Sequence, residues 1–196
     1  MSMKERINAL LRATGRKGID DLILWMETNG FYDAPCSSKY HLAKPGGLAE
    51  HSINVFSNAL LMYEALCIKE GKQATFEKTH SIILCSLLHD LGKAGQFGKP
   101  NYVINHIITD EIPGNEYPIP VYETNKDLLY VPHEIRSVVI ASKFIDLTEE
   151  EQFAILYHNG LYGELKGFKG NEIPLYLILH NADMWAARVT EQEKTQ

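Results

Sequence analysis

Six ionisable residues stand inside stretches that are otherwise apolar: His51, the adjacent pair His89 and Asp90, His133, His158 and Asp183. Residues of this kind are seldom buried unless they are paired or hold a metal. The pair closes the run from Ser81 to Leu88, in which Ile82, Ile83, Leu84, Cys85, Leu87 and Leu88 are apolar or thiol-bearing. Gly92 follows, and Lys93 adds a positive charge one turn beyond His89. Alone, this stretch is equally well read as a His–Asp hydrogen bond at a helix end. With the other four positions it becomes a donor set of four imidazoles and two carboxylates, suited to one or two divalent ions such as Zn, Mn, Fe, Co or Ni. A carboxylate next to a histidine ligand can bridge two ions, and bridged ions lower the pKa of a shared water enough to make it a nucleophile at neutral pH. No covalent nucleophile competes. No serine lies in a GxSxG-like elbow, and Cys85 is on the apolar helix.

Separate elements must deliver these side chains. Apolar spacing predicts helices over 3–14 and 19–28, the second with Asp20 and Asp21 complementing the dipole in its first turn and Asn29-Gly30 closing it. Residues 31–47 read as a loop rich in aromatic and polar groups, either a packed connector or a cover for a pocket. A long helix then starts at Gly47 and carries Glu50 and His51 in its first turns, and the helix bearing His89 is expected over 77–92. Residues 94–127 change character. Tyr102–Ile108 and Tyr117–Tyr122 are β-prone runs around Pro113-Gly114-Asn115, which predicts a small irregular hairpin near 101–123 with His106 on a strand surface. Helices resume near Pro132, with His133 in the first turn, and again at Leu147, where Thr148 and Glu151 form a capping box. That helix ends at His158-Asn159-Gly160, where a histidine also suits the helix dipole. A glycine-rich loop spans 160–173, and Pro174 opens a last helix with His180 and Asp183 one turn apart on one face.

The chain has 196 residues, 45% of them hydrophobic, enough for one substantial core. One domain is expected over 1–196: two leading helices in 1–30, the metal-binding body in 31–188 and a polar tail in 189–196. The net charge of −6 gives no global basic field for nucleic acid or an anionic membrane, while a local phosphate pocket stays compatible with it. Three cysteines, Cys36, Cys67 and Cys85, make no CxxC motif, and Cys67 and Cys85 read as small core residues. That usage suits a reducing compartment. No apolar run approaches the roughly 20 residues needed to span a bilayer, so a cytoplasmic protein is expected.

The order His51 … His89-Asp90 … Asp183 resembles the HD-domain superfamily of metal-dependent phosphohydrolases. Gly46-Gly47-Leu48-Ala49-Glu50-His51-Ser52 and Leu87-Leu88-His89-Asp90-Leu91-Gly92-Lys93 are similar to its first two motifs. His133 and His158, ahead of His180-Asn181-Ala182-Asp183, are similar to the longer H…HD…H…H…D pattern of its binuclear members. Around His133 the chain reads Pro132-His133-Glu134-Ile135-Arg136-Ser137, where small bacterial and phage members have Gly-His-Gly-Glu-Lys-Ser. The resemblance implies an all-α helical bundle with the metals at its centre, the small β-hairpin being an insertion. It implies that His51, His89, Asp90 and Asp183 are core ligands with Asp90 as the bridge, and that His133 and His158 serve a second ion. Lys93 matches a lysine that contacts substrate phosphate, and is otherwise an exposed lysine at a helix end.

The expected activity is hydrolysis of a phosphate ester, a nucleotide or short oligonucleotide, by metal-activated water, with Asp90 and Lys93 as catalytic residues. The expected cofactor is one or two divalent ions (Mn, Fe, Co, Ni, Zn or Mg). The expected partner is a small phosphorylated substrate rather than long nucleic acid or a membrane. A di-iron oxygenase of the same fold, such as myo-inositol oxygenase, has a similar ligand order, and a metal-stabilised binding module without turnover is a third reading. His41 is a pocket-lining candidate, and His180 is read as a core residue at the edge of the site, a substitute ligand or a donor behind the ligands. Arg136 and Arg188 are read as phosphate partners or as solvated or salt-bridged side chains.

Overall fold

The computed structural model describes residues 1–105, 121–160 and 170–192. Among them are seven α-helices: α1 (Met3–Ala13), α2 (Ile19–Thr28), α3 (Gly47–Lys69), α4 (Phe76–Leu88), α5 (His133–Ala141), α6 (Glu149–Tyr157) and α7 (Pro174–Trp185). The only sheet among the described residues pairs β1 (Tyr102–Ile104) with β2 (Tyr122–Thr124). The fold is therefore all-α with a small antiparallel hairpin, as the periodicity implies. No helix among the described residues is long and apolar enough to cross a membrane.

Local chemistry accounts for most helix ends. Ser2 with Glu5 and Thr148 with Glu151 form capping boxes at α1 and α6, and Pro174 occupies the first turn of α7. The central helix α3 packs against α4 and α7, α1 packs against α3 and α4, and α6 packs against α7. Leu48, Val55, Leu84, Leu87, Leu88, Ile140, Ile155 and Leu179 meet in one continuous buried cluster. Cys67 and Cys85 are buried, Cys85 within that cluster. Phe31 and Cys36 of the 31–47 loop are fully buried, so that loop packs onto the body.

Three boundaries differ from expectation. First, α4 ends at Leu88 rather than continuing to 92: His89 is its C-cap, and Leu91–Ala94 form a 3-10 turn. The cause is a close approach by α5. A Cβ on Gly92 would lie 2.3 Å from the His133 carbonyl oxygen, and the Gly92 amide donates to Ser137 Oγ at 2.8 Å. The chain turns there because α5 occupies the path a longer helix would need. Second, β2 runs over Tyr122–Thr124, starting at the last residue of the run 117–122, whose residues 117–120 lie outside the described residues. Its register pairs Tyr102 with Thr124 and Ile104 with Tyr122. The tip of the expected hairpin with His106, most of the glycine-rich stretch and the last four residues lie outside the described residues. Third, a π-helical turn over Ala186–Thr190 extends α7 and carries Glu191 back to the core. Within the polar stretch expected from 189, Glu191 is thus drawn into the core.

A buried ion pair ties the ends of the bundle together. Glu151 is fully buried, and Arg16, from the α1–α2 connection, reaches its two carboxylate oxygens at 3.0 and 2.8 Å. Ser81 of α4 donates to the same carboxylate at 2.8 Å.

Candidate metal centre

The six residues singled out in the sequence converge on one buried spot, brought there by five different helix ends or turns. His51 comes from the start of α3, His89 and Asp90 from the cap of α4, His133 from the first turn of α5, His158 from the cap of α6 and Asp183 from α7. Asp90 stands between two groups. Its Oδ2 faces His51 Nε2 at 3.6 Å and His89 Nε2 at 3.4 Å, with Asp183 Oδ1 3.1 Å from His51 Nε2. Its Oδ1 faces His133 Nε2 at 3.1 Å and His158 Nε2 at 3.6 Å.

The far side of each ring fixes its tautomer. His89 Nδ1 donates to the Ser86 carbonyl at 2.9 Å, and His158 Nδ1 to the Ile155 carbonyl at 2.7 Å. His51 Nδ1 donates to the Glu191 carboxylate at 3.0 Å, and His133 Nδ1 lies 3.2 Å from Glu134 Oε2. With Nδ1 carrying the hydrogen, the neutral ring turns the Nε2 lone pair inward. Lone pairs therefore face lone pairs. His51 and His89 Nε2 are 3.3 Å apart, and His133 and His158 Nε2 are 3.4 Å apart. Asp90 Oδ1 is buried without a hydrogen-bond donor among the described residues. Such contacts repel unless positive charge lies between them, and donors about 2.1 Å from a shared ion sit roughly 3.0–3.4 Å from one another. The spacing suits that arrangement, and the His/Asp groups can hold a metal ion.

Electrostatics point the same way. Burial disfavours the Asp90 carboxylate, yet the Lys93 ammonium, with His89 and His133, holds its pKa well below the ordinary range. Burial likewise opposes Asp183, and its hydrogen bond with His51 overrides that and lowers the pKa. Burial also disfavours charge on His51, but Cys36, Asp183 and Glu191 outweigh it and raise the pKa. Burial lowers the pKa of His89, while at His158 Asp90 and Asp183 outweigh burial and raise it. Both carboxylates are thus held ionised against the cost of burial, as ligands of a cation must be.

Lys93 is not an exposed helix-end lysine. Its Nζ lies 2.6 Å from Asp90 Oδ2, and its side chain is largely buried. It lines a cleft of about 1170 Å³ together with His158 and Asp183. The exposed residues Lys39, Lys44 and Arg188 give that cleft a cationic lining which the net charge conceals. Lys44 is paired with Glu50 at 2.8 Å. His41 also lines the cleft. His180 does so too, donating from Nδ1 to the His158 carbonyl at 2.7 Å and stacking on Tyr176, so it braces the turn that carries His158. Arg136 is buried and has no salt bridge among the described residues: it bonds Gln96 Oε1 at 2.9 Å and the Leu129 carbonyl at 2.7 Å. Those neutral acceptors hold its guanidinium within the α5 packing. Burial pushes the Cys36 thiol up to about 11, which makes it a poor nucleophile.

Glu191 is the participant that sequence reasoning missed. Its carboxylate accepts from His51 Nδ1 and from Asn54 Nδ2, at 3.0 and 2.9 Å, and its side chain is 1% exposed. A polar C-terminal stretch gives no apolar frame to mark it. Carboxylates behind a ligating histidine orient the ring and raise its basicity. Glu191→Ala is expected to weaken divalent-metal binding by about 10–100-fold, as read by competition with a chromogenic chelator. Unchanged affinity would mean that the contact only anchors the C-terminal turn.

Comparison with protein-family models, curated proteins and solved structures finds no match.

Proposed function

We propose that the chain is a metal-dependent phosphohydrolase of HD-domain type acting on a small phosphate ester, a nucleotide first among them. The observation that carries this reading is Asp90, with one oxygen toward each pair of histidines and no donor on Oδ1 among the described residues. His51, His89, Asp90 and Asp183 would hold one ion, and Asp90, His133 and His158 a second. Ions in such a ligand set activate water and polarise a phosphoryl oxygen at neutral pH.

The chain's own groups do the rest. Arg188 and Lys39, on the exposed lining of the cleft, attract an anion, and Lys93 deeper in presents its ammonium to phosphoryl oxygens. Tyr40 lines the same cleft and is 72% exposed, so its ring offers a surface on which a nucleobase can stack. The cleft is close to the roughly 300–1,000 Å³ of small-molecule sites, which favours a mononucleotide over duplex nucleic acid.

The test is phosphate release from a panel of nucleotides and simple phosphate esters by chelated protein reloaded separately with Mn²⁺, Co²⁺, Ni²⁺, Fe²⁺, Zn²⁺ or Mg²⁺. Release that requires added metal and stops on rechelation supports the reading. Iron-dependent O₂ uptake without phosphate release would move the chain to the oxygenase class. Metal binding that stabilises the fold with no turnover on any substrate would make it a binding module.

A further inference from the structure

Phe97 stands at the tip of a tight turn in which Gln96 and Lys99 exchange both backbone hydrogen bonds at 3.0 Å. Phe97 and Gly98 take φ 58° and 70°, a left-handed pair that such a turn favours and that suits Asn or Gly. A bulky aromatic residue is strained there. Packing within the chain does little to offset that strain: Phe97 is 76% exposed, and its ring meets Lys143 Nζ at 5.6 Å from the centroid. Other elements bring apolar groups to the same side. Ile135 and Val139 are one turn apart on α5, with Lys143 one turn further on, and this face is opposite the buried Arg136, Ser137, Ile140 and Ala141. Arg136 holds both flanks of the helix, binding the Leu129 carbonyl on one side and the side chain of Gln96, next to Phe97, on the other. Leu129 and Tyr130, each 85% exposed, and Val131 turn outward from that clamp.

We propose that Phe97, Leu129, Tyr130, Val131, Ile135 and Val139 form the face on which a second copy of the chain docks, giving a twofold dimer. At about 150–250 Å² for a large aromatic side chain, Phe97 and Tyr130 offer roughly 300 Å² at their exposures, and the four aliphatic residues raise the apolar area to about 500 Å². A standard interface buries about 800 Å² per partner, about 65% of it apolar in homodimers, so about 500 Å² is the apolar area such an interface needs. Charge selects the occupant. The chain carries a net charge of −6, so another copy is repelled except across a neutral face, and none of these six residues is charged. Two α5 helices crossing on a twofold axis set Ile135 and Val139 of one copy against the same residues of the other, which is the self-complementary contact that symmetry requires. None of the six residues lines the cleft, so both clefts stay open and the dimer is independent of the chemistry at the centre.

The test is the mass of the full chain by sedimentation equilibrium, from micromolar to submillimolar concentration. Wild type is expected to reach twice the 22.2 kDa of one chain. Val139→Glu places like charges against each other at the axis and should weaken dimerisation by about 100-fold or more. Its helical circular dichroism should stay unchanged, because Val139 is half exposed. Tyr130→Glu acts from outside the helix and decides the matter alone should Val139→Glu not fold. Leu61→Glu, at an exposed apolar position on α3, should leave the dimer intact. Wild type that stays monomeric throughout, a dimer that survives both Val139→Glu and Tyr130→Glu, or one that Leu61→Glu dissolves would overturn the proposal.

Discussion

Asp90→Asn is expected to abolish metal-dependent phosphate release while leaving the helical fold intact. The Asp90 carboxylate faces both halves of the centre, at 3.4 Å from His89 and 3.1 Å from His133. Metal ions contribute several kcal/mol of charge stabilisation to phosphoryl transfer, and each 1.36 kcal/mol is a factor of ten in rate. Losing the shared anion should therefore cost about 10³-fold or more in kcat/KM, together with at least one bound ion. The fold survives because the amide has nearly the same volume, and its N–H₂ can donate to the histidine Nε2 atoms that now meet only acceptors. Lys93 keeps an oxygen acceptor, the amide carbonyl in place of Oδ2. The decisive comparison is thermal unfolding of both proteins with and without metal. Wild type should gain stability on metal addition according to ligand linkage, and Asp90→Asn should gain much less. Equal metal stabilisation of the two would remove Asp90 from the ligand set.

The contrast between what was and was not legible in the sequence has a physical basis. His51, His89, Asp90, His133, His158 and Asp183 stood out because each interrupts an apolar helical stretch, where an unsatisfied charge is costly. Periodicity also located the helices, since the same apolar faces build the core. What stayed hidden depends on tertiary approach. The end of α4 at Leu88 is set by α5 crossing Gly92, a contact across more than 40 positions. Arg136 reads as a solvent-seeking charge until the Gln96 side chain and the Leu129 carbonyl are brought to it. Glu191 lies in a segment as polar as any disordered tail, and its burial follows from the π-helical turn that carries it to His51. Cys36 and His41 meet because of a closed loop that has no hydrophobic period to announce it.

Glu151 shows the same division, and it carries the largest stability effect expected here. Its place as the third residue of a capping box is written in Thr148-Glu149-Glu150-Glu151, but its partner Arg16 is 135 positions away. Removing one member of a buried ion pair costs about 3–5 kcal/mol, because the other is left uncompensated. Arg16 retains 22% exposure and can partly hydrate, so Glu151→Ala should fall near the lower figure, roughly 3 kcal/mol, including the lost cap. For a chain of this size that lowers Tm by about 6–12 °C. The effect has a pH signature. Burial alone would raise the Glu151 pKa, but Arg16, the Thr148 amide and Ser81 more than offset it and hold the carboxyl below its ordinary value. A group depressed in the folded state contributes its full stability above its unfolded pKa, about 4.3, and loses it as pH falls through the folded value. In urea unfolding from about pH 6 downward, the gap between wild type and Glu151→Gln should hold steady and then close below about pH 4. Glutamine keeps the volume and the cap, so the closing part of the gap reports the charge alone. A gap that stayed constant through that range would mean that Arg16 and Glu151 contribute packing and hydrogen bonds but no net ionic stability.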